Sequence, residues 1–380
     1  MVLDVNETSE PLPALAQIPP DLRSLADYER HAPAHFTAKA WCHVQEGSGE
    51  GLTLRANRSA FAAYGFRPRA LADLRGGGTA IDLFGRSHAA PLMLGPVAYQ
   101  RLAHPDGEHA VVRAATALDT GMVVSTLSSV PLEQIAGTAR AFARELGKDT
   151  PPLWFQLYLQ PQREHSLELV RRAEAAGYEA IVLTIDAAIK PAGMTLPEGV
   201  SAVNLAGMPI PRQTTTPGGR IVLGTPLADA APRWEDLAWL AEATRLPILV
   251  KGMVLGEDAR RVADMGAAGI VLSNHGGRVL DGLPSVLNVI EDVAEASQGL
   301  PLLVDGGFRC GTDIVKALAL GAHSVLIGRP QMHALAVAGM PGVAHAIHLL
   351  RTELELAMAQ LGCPTVGDLT RERLIDLPRM

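Results

Sequence analysis

Aromatic residues are scarce in this chain, at 4% of 380 residues. Cysteine is scarcer: Cys42, Cys310 and Cys363 lie far apart and form no CxxC pair. That spacing excludes a zinc finger and a disulfide framework and fits a reducing compartment. No metal is expected. There is no surplus of positive charge, and a formal net charge of −7 offers no basic face to nucleic acid. No apolar run in the sequence approaches the length of a membrane span, so no membrane anchor is expected. The N-terminus carries Asp4 and Glu7 where a secretory signal needs a basic patch. These absences together lead us to expect a cytoplasmic enzyme or binding protein.

What is present is small and aliphatic. Hydrophobic residues make up 48% of the chain, enough for a sizeable core. Residues 1–22 hold Pro11, Pro13, Pro19 and Pro20 and read as a flexible arm, followed by a single domain over 23–380. A short helix is expected over 22–36, a glycine-rich loop over 39–57 and an irregular lead-in over 66–82. From Pro91 a rhythm begins. Short apolar runs start near Pro91, Met122, Leu153, Ala180, Pro247, Gly269, Pro301 and Ser324. Between them the apolar spacing is helical, over 109–118, 132–146, 166–176, 234–244, 258–265, 286–296 and 313–320, with 330–337 after the last run. Continuous apolar strands alternating with amphipathic helices imply a parallel sheet covered on both faces. Eight such units fit a closed (β/α)8 TIM barrel, an α/β fold, with a helical lead-in and an excursion over 187–231 after the fourth strand. An open doubly wound sheet is the alternative. A closing helix is expected over 342–361.

Barrel enzymes work at the C-terminal ends of their strands. Here those ends carry Val97, Ala98 and Tyr99; Ser125 to Ser129; Gln156 and Tyr158; Thr184 and Asp186; Lys251; Ser273, His275 and Arg278; Asp305, Gly307 and Arg309; and Gly328 with Arg329. Hydrogen-bonding groups and glycines fill nearly the whole ring. An imidazole three residues from a guanidinium can take a proton beside a bound carboxylate. Glycines and arginines after the last two strands form a recurring phosphate site.

Several motifs carry a resemblance. LVKG at 249–252, SNHGGR at 273–278, VDGGFRCGTD at 304–313, KALALGA at 316–322 and IGRP at 327–330 resemble the FMN-dependent 2-hydroxy acid oxidases and dehydrogenases, as do NRSAF at 57–61, AHPDGE at 103–108, TLSS at 126–129 and WFQLY at 154–158. The runs at 99–102 and 126–130 most resemble the hydroxymandelate oxidases of that group. The resemblance implies FMN across the barrel mouth. Val97 and Ala98 would meet it through the backbone. Ser128, Gln156, Thr184 and Ser273 would bind the ring and ribityl side, and Asp305 the ribityl hydroxyls. Gly307, Arg309, Gly328 and Arg329 would hold the phosphate, and Lys251 would sit near the electron-rich edge of the flavin. It further implies His275 as base, Asp186 as its carboxylate partner, Arg278 on the substrate carboxylate and Tyr158 on the substrate oxygen. His275 serves removal of either the Cα proton or the hydroxyl proton, and both schemes stay open. O2 or another acceptor would reoxidise the flavin, and a homotetramer is implied.

Two departures stand out. His43 occupies the place where a tyrosine of that family faces the substrate carboxylate. After Asp186, the usual Gly-Arg-Arg segment is replaced by Ala-Ala-Ile-Lys-Pro-Ala-Gly, with Lys190 the nearby cation. Both predict a weaker grip on small acids and a larger or aromatic substrate. A flavin-binding module without hydroxy-acid turnover is the rival reading. Another FMN barrel, such as an isoprenyl diphosphate isomerase, would share the phosphate end but has no reason to carry His275 with Arg278.

Overall fold

The computed structural model describes residues 10–187, 195–209 and 222–378. Three short helices lead in: α1 (Leu25–His31), α2 (Ala38–Gln45) and α3 (Leu52–Ser59). Strands β1 (Tyr64–Phe66), β2 (Ile81–Leu83) and β3 (Arg86–His88) follow. The barrel strands are β4 (Leu92–Leu94), β5 (Gly121–Ser125), β6 (Leu153–Leu157), β7 (Ala180–Thr184), β8 (Ile248–Met253), β9 (Gly269–Leu272), β10 (Leu302–Asp305) and β11 (Ser324–Ile327). Their order is closed and parallel throughout, so the barrel replaces the open-sheet alternative. Helices α4 (Glu108–Ala117), α5 (Leu132–Leu146), α6 (Arg163–Ala176), α7 (Pro226–Asp229), α8 (Trp234–Ala243), α9 (Gly256–Asp264), α10 (Ile290–Ala296), α11 (Gly311–Ala319) and α12 (Arg329–Leu361) complete the set, with β12 (Leu374–Asp376) pairing back onto β1.

The strands are legible because most of their residues are buried from both faces. Inward-facing Met93, Val123, Trp154, Val182, Leu249, Val271, Leu303 and Leu326 pack into one cluster inside the barrel. The β2–β3 hairpin plugs the N-terminal end, where Phe84 packs edge-on against Trp154 with ring centroids 5.5 Å apart. The opposite end is left for chemistry.

The lead-in departs from expectation. The predicted loop over 39–57 contains α2 and α3. Thr37 caps α2, and Asp281 caps α3 from across the fold by accepting the Thr53 and Glu50 backbone N–H groups at 2.9 Å each. Such a cap has no signal in the local sequence. Nor are residues 10–22 a loose arm: Leu12 N–H donates to Ala34 O, Leu15 N–H to Val337 O, and Leu22 is buried. Residues 1–9 lie outside the described residues. The two helices expected at the C-terminus are one element, α12, interrupted at Ala338 and Gly339. By length and composition alone α12 could cross a membrane, but two thirds of its most apolar stretch is buried against the barrel, as in a core helix.

Candidate active site

A cavity of about 560 Å³ opens at the C-terminal ends of the barrel strands. His275 and Arg278 line it, together with Tyr158, Lys251, Tyr99 and His43. His275 adopts a left-handed conformation (φ 55°), and its N–H donates to Ser273 Oγ at 2.9 Å. The turn aims the ring at β7, where Nδ1 meets Asp186 Oδ1 at 2.9 Å. An ionised carboxylate only accepts, so Nδ1 is the donor and Nε2 is the basic nitrogen. Gly252 makes this pairing possible. Its φ of +110° favours glycine, and a Cβ there would meet Asp186 Cγ at 2.5 Å.

Lys251 is 3% exposed. Burial opposes its charge, but the carboxylates of Asp305 and Asp186 outweigh burial and raise its pKa. The ammonium lies 3.0 Å from Asp305 Oδ2 and donates to Ser273 Oγ at 2.8 Å, and that hydroxyl donates to Asp305 Oδ1 at 2.6 Å. A fixed cation therefore borders the cavity. Tyr158 is equally well placed. Burial, then the Asp186 charge, pushes its phenol pKa up, so it stays protonated as a donor.

Three arginines gather at the other side. Arg278 donates from Nη1 to Val44 O at 3.1 Å and Glu46 O at 3.3 Å, and from Nη2 to Glu46 Oε1 at 3.3 Å. Arg329 donates to Val44 O, Glu46 O and Gly276 O. Both guanidinium groups thus sit on the carbonyl end of α2, where the helix dipole favours cations. Burial and the neighbouring Arg278 and Arg309 charges pull the Arg329 pKa down to about 10. A dianion in the cavity would relieve that crowding. Arg309 pairs with Glu29 at 3.0 Å. Gly307 (φ +88°) packs so closely on Asn57 that a Cβ would meet its carbonyl oxygen at 2.4 Å.

Among the buried donors without a partner, two lie at the C-terminal ends of neighbouring strands β6 and β7. Gln156 Oε1 accepts from Ser125 Oγ and Thr126 N, which turns the amide nitrogen outward. Gln156 Nε2 and Thr184 Oγ1 are both buried with no hydrogen-bond partner among the described residues. Unmet buried polar groups are expensive, so these positions imply an absent partner. Their neighbours in register, Ser125 and Lys251, line the cavity. A flat heterocycle rich in acceptors fits there, with its phosphate end at Gly307, Gly328, Arg309 and Arg329.

The sequence profile of the FMN-dependent dehydrogenases matches residues 32–376. The chain belongs to that family. An L-lactate oxidase from Alicycliphilus denitrificans is 48% identical over 94% of this chain and 98% of its own. A 4-hydroxymandelate oxidase from Amycolatopsis orientalis is 45% identical over 90% and 96%. A crystal structure of mandelate oxidase with (S)-2-phenylpropionate superposes with a TM-score of 0.81 at 41% identity, covering 93% of this chain and 98% of that one. The enzyme therefore uses FMN to oxidise a 2-hydroxy acid to the 2-oxo acid.

Most residues expected at the site do meet there. Val97, Ala98, Tyr158, Lys251, His275, Arg278, Asp305, Gly307, Arg309, Gly328, Arg329 and His43 line the cavity. Asp186, Gln156, Thr184 and Ser273 support it from the strand ends. Ser128 does not. It is fully buried, donating to Val130 O at 2.7 Å and accepting from Asn204 at 2.8 Å, and Ser125 lines the cavity in its place. Arg329 gives three of its five donors to backbone carbonyls, which fixes the guanidinium at the cavity wall and leaves one N–H on each terminal nitrogen for a phosphate. The carbonyl clamp of Val44 and Glu46 was missed, because backbone acceptors leave no mark on residue identity. Lys190 lies outside the described residues.

Proposed function

We propose that the substrate is a 2-hydroxy acid with an aryl or comparably large side chain, held by its carboxylate on Arg278. The single observation that carries this reading is that His275, Arg278 and Tyr158 line one cavity. A guanidinium can hold a carboxylate while an imidazole takes a proton from the neighbouring carbinol. Relatives acting on lactate and on 4-hydroxymandelate are almost equally similar, so identity does not choose between small and large acids. The lining of Tyr99, Leu102, Leu127 and Tyr158 favours the large one.

His275 Nε2 takes the proton from the substrate. Asp186, at Nδ1, steadies the imidazolium that results. The phenol of Tyr158 donates to the substrate oxygen, and Lys251 supplies a permanent positive charge at the cavity wall. FMN, when bound, accepts the two electrons released from the substrate carbon. A flavin-binding module without turnover has no need of a histidine locked to a carboxylate. O2 as acceptor, a homotetramer and a cytoplasmic location complete the proposal; the oxidase names of relatives support the first. Anaerobic mixing of the FMN enzyme with glycolate, L-lactate, (S)-mandelate and 4-hydroxymandelate tests it. Faster flavin bleaching by the aryl acids is expected; preference for glycolate overturns the size assignment.

A further inference from the structure

The carboxylate of Glu46 lies on Arg278, at 3.3 Å from Nη2, and within 3.6 Å of His43 Nδ1. We propose that Glu46 sets substrate affinity by competing with the substrate carboxylate for Arg278, so that every productive acid must first displace it.

Three observations support this. Arg278 does not need the Glu46 side chain for its orientation, because the carbonyls of Val44 and Glu46 already hold Nη1. The Glu46 side chain is half-exposed while Arg278 lines the cavity, so the carboxylate reaches inward from the rim and can swing out. His43, one helical turn earlier on α2, faces the same carboxylate oxygen from the α2 side. Two anions cannot share one guanidinium fork cheaply, since like charges at contact repel. The competition lowers affinity by the same factor for all 2-hydroxy acids. Small acids, with the fewest contacts of their own, then fall out of the useful range first. The inference rests on the assignment of Arg278 as the carboxylate grip.

The test uses the FMN-loaded enzyme, its Glu46→Gln and Glu46→Ala variants, and Arg278→Met. Benzoylformate binding is read from the perturbed flavin spectrum, and KM and kcat are measured with L-lactate and (S)-mandelate. In both Glu46 variants benzoylformate should bind roughly two- to fivefold tighter, the range of an exposed ion pair. KM should fall by a similar factor for both acids, with kcat moving less. Unchanged or weaker binding in both variants, with Arg278→Met losing the ligand, overturns the role of Glu46 alone. A kcat loss as large as the KM change marks a disturbed loop and also overturns it. If Arg278→Met binds benzoylformate normally, the grip assignment itself falls, and the role of Glu46 with it.

Discussion

His275 and Asp186 form a closed pair: Nδ1 to Oδ1 is 2.9 Å, with Gly252 pressed against the carboxylate from β8. The pair defines which imidazole nitrogen is basic. His275→Gln keeps a polar side chain but no base, and turnover should fall by roughly 10²–10⁴-fold, as for removal of a general base. FMN content should stay unchanged, because the cofactor contacts are assigned to other residues. Rapid-mixing flavin reduction checks this. A fall of less than tenfold would show that the proton goes elsewhere.

Gly252→Ala tests the same pair from behind. The added methyl overlaps Asp186 and must also adopt an unfavourable φ. Rotation of the carboxylate away from Nδ1 should cut kcat while KM for the substrate changes little. Equal losses in Asp186→Asn and Gly252→Ala, non-additive in the double variant, are expected.

Thr184→Val separates cofactor binding from folding. The hydroxyl of Thr184 is buried and has no hydrogen-bond partner among the described residues. Replacing it with a methyl should leave the Tm of the FMN-free protein unchanged or raised. FMN affinity should fall several-fold, the worth of one hydrogen bond at about 0.5–1.5 kcal/mol. Fluorescence titration with FMN and a thermal melt without it read the two effects. A lower Tm with unchanged FMN affinity would place the missing partner within the protein.

Acid should loosen the junction between α2 and α12. Burial holds the His333 pKa down to about 3. Its ring nitrogen faces Gln45 at 2.9 Å, and Trp41 packs on it. A histidine with a depressed folded pKa is neutral when folded and charged when unfolded below about pH 6.5. Stability is therefore fully present above that pH and is lost as pH falls toward 3, at up to about 1.4 kcal/mol per pH unit. Melting temperatures from pH 7 to pH 4.5 should drop more steeply in wild type than in His333→Gln. Parallel curves would contradict it.

The barrel was legible because its strands are buried on both faces and read as unbroken apolar runs. Catalytic identity was legible because side chains such as His275, Asp186 and Lys251 end those runs. What escaped has a common cause: backbone and distant partners. Helices α2 and α3 are only eight residues each; α3 leans on Asp281 and on the Asn57–Asn274 amide pair, and the end of α2 on Arg278 and Arg329, all partners more than 200 residues away in sequence. In the run of hydroxyls that ends β5 and follows it, the sequence cannot say which one faces inward. The hydrogen bond of Ser125 to Gln156 settles it for Ser125, and Asn204 draws Ser128 away.

Arg278→Lys probes the grip. A lysine keeps the charge but not the planar fork, so KM for (S)-mandelate should rise about ten- to a hundredfold, the worth of a charged hydrogen bond at roughly 1.5–3 kcal/mol. The kcat at saturation should change far less. An unchanged KM would move the substrate carboxylate to another group.

The central claim is that His275, paired to Asp186, takes a proton from a 2-hydroxy acid while FMN takes its electrons. The most direct measurement is the anaerobic absorbance of the FMN enzyme mixed with (S)-mandelate in stopped flow. The account predicts rapid loss of the oxidised flavin band in wild type and its near-complete persistence in His275→Gln. Persistence of that band in wild type at saturating (S)-mandelate, L-lactate and glycolate alike would contradict it.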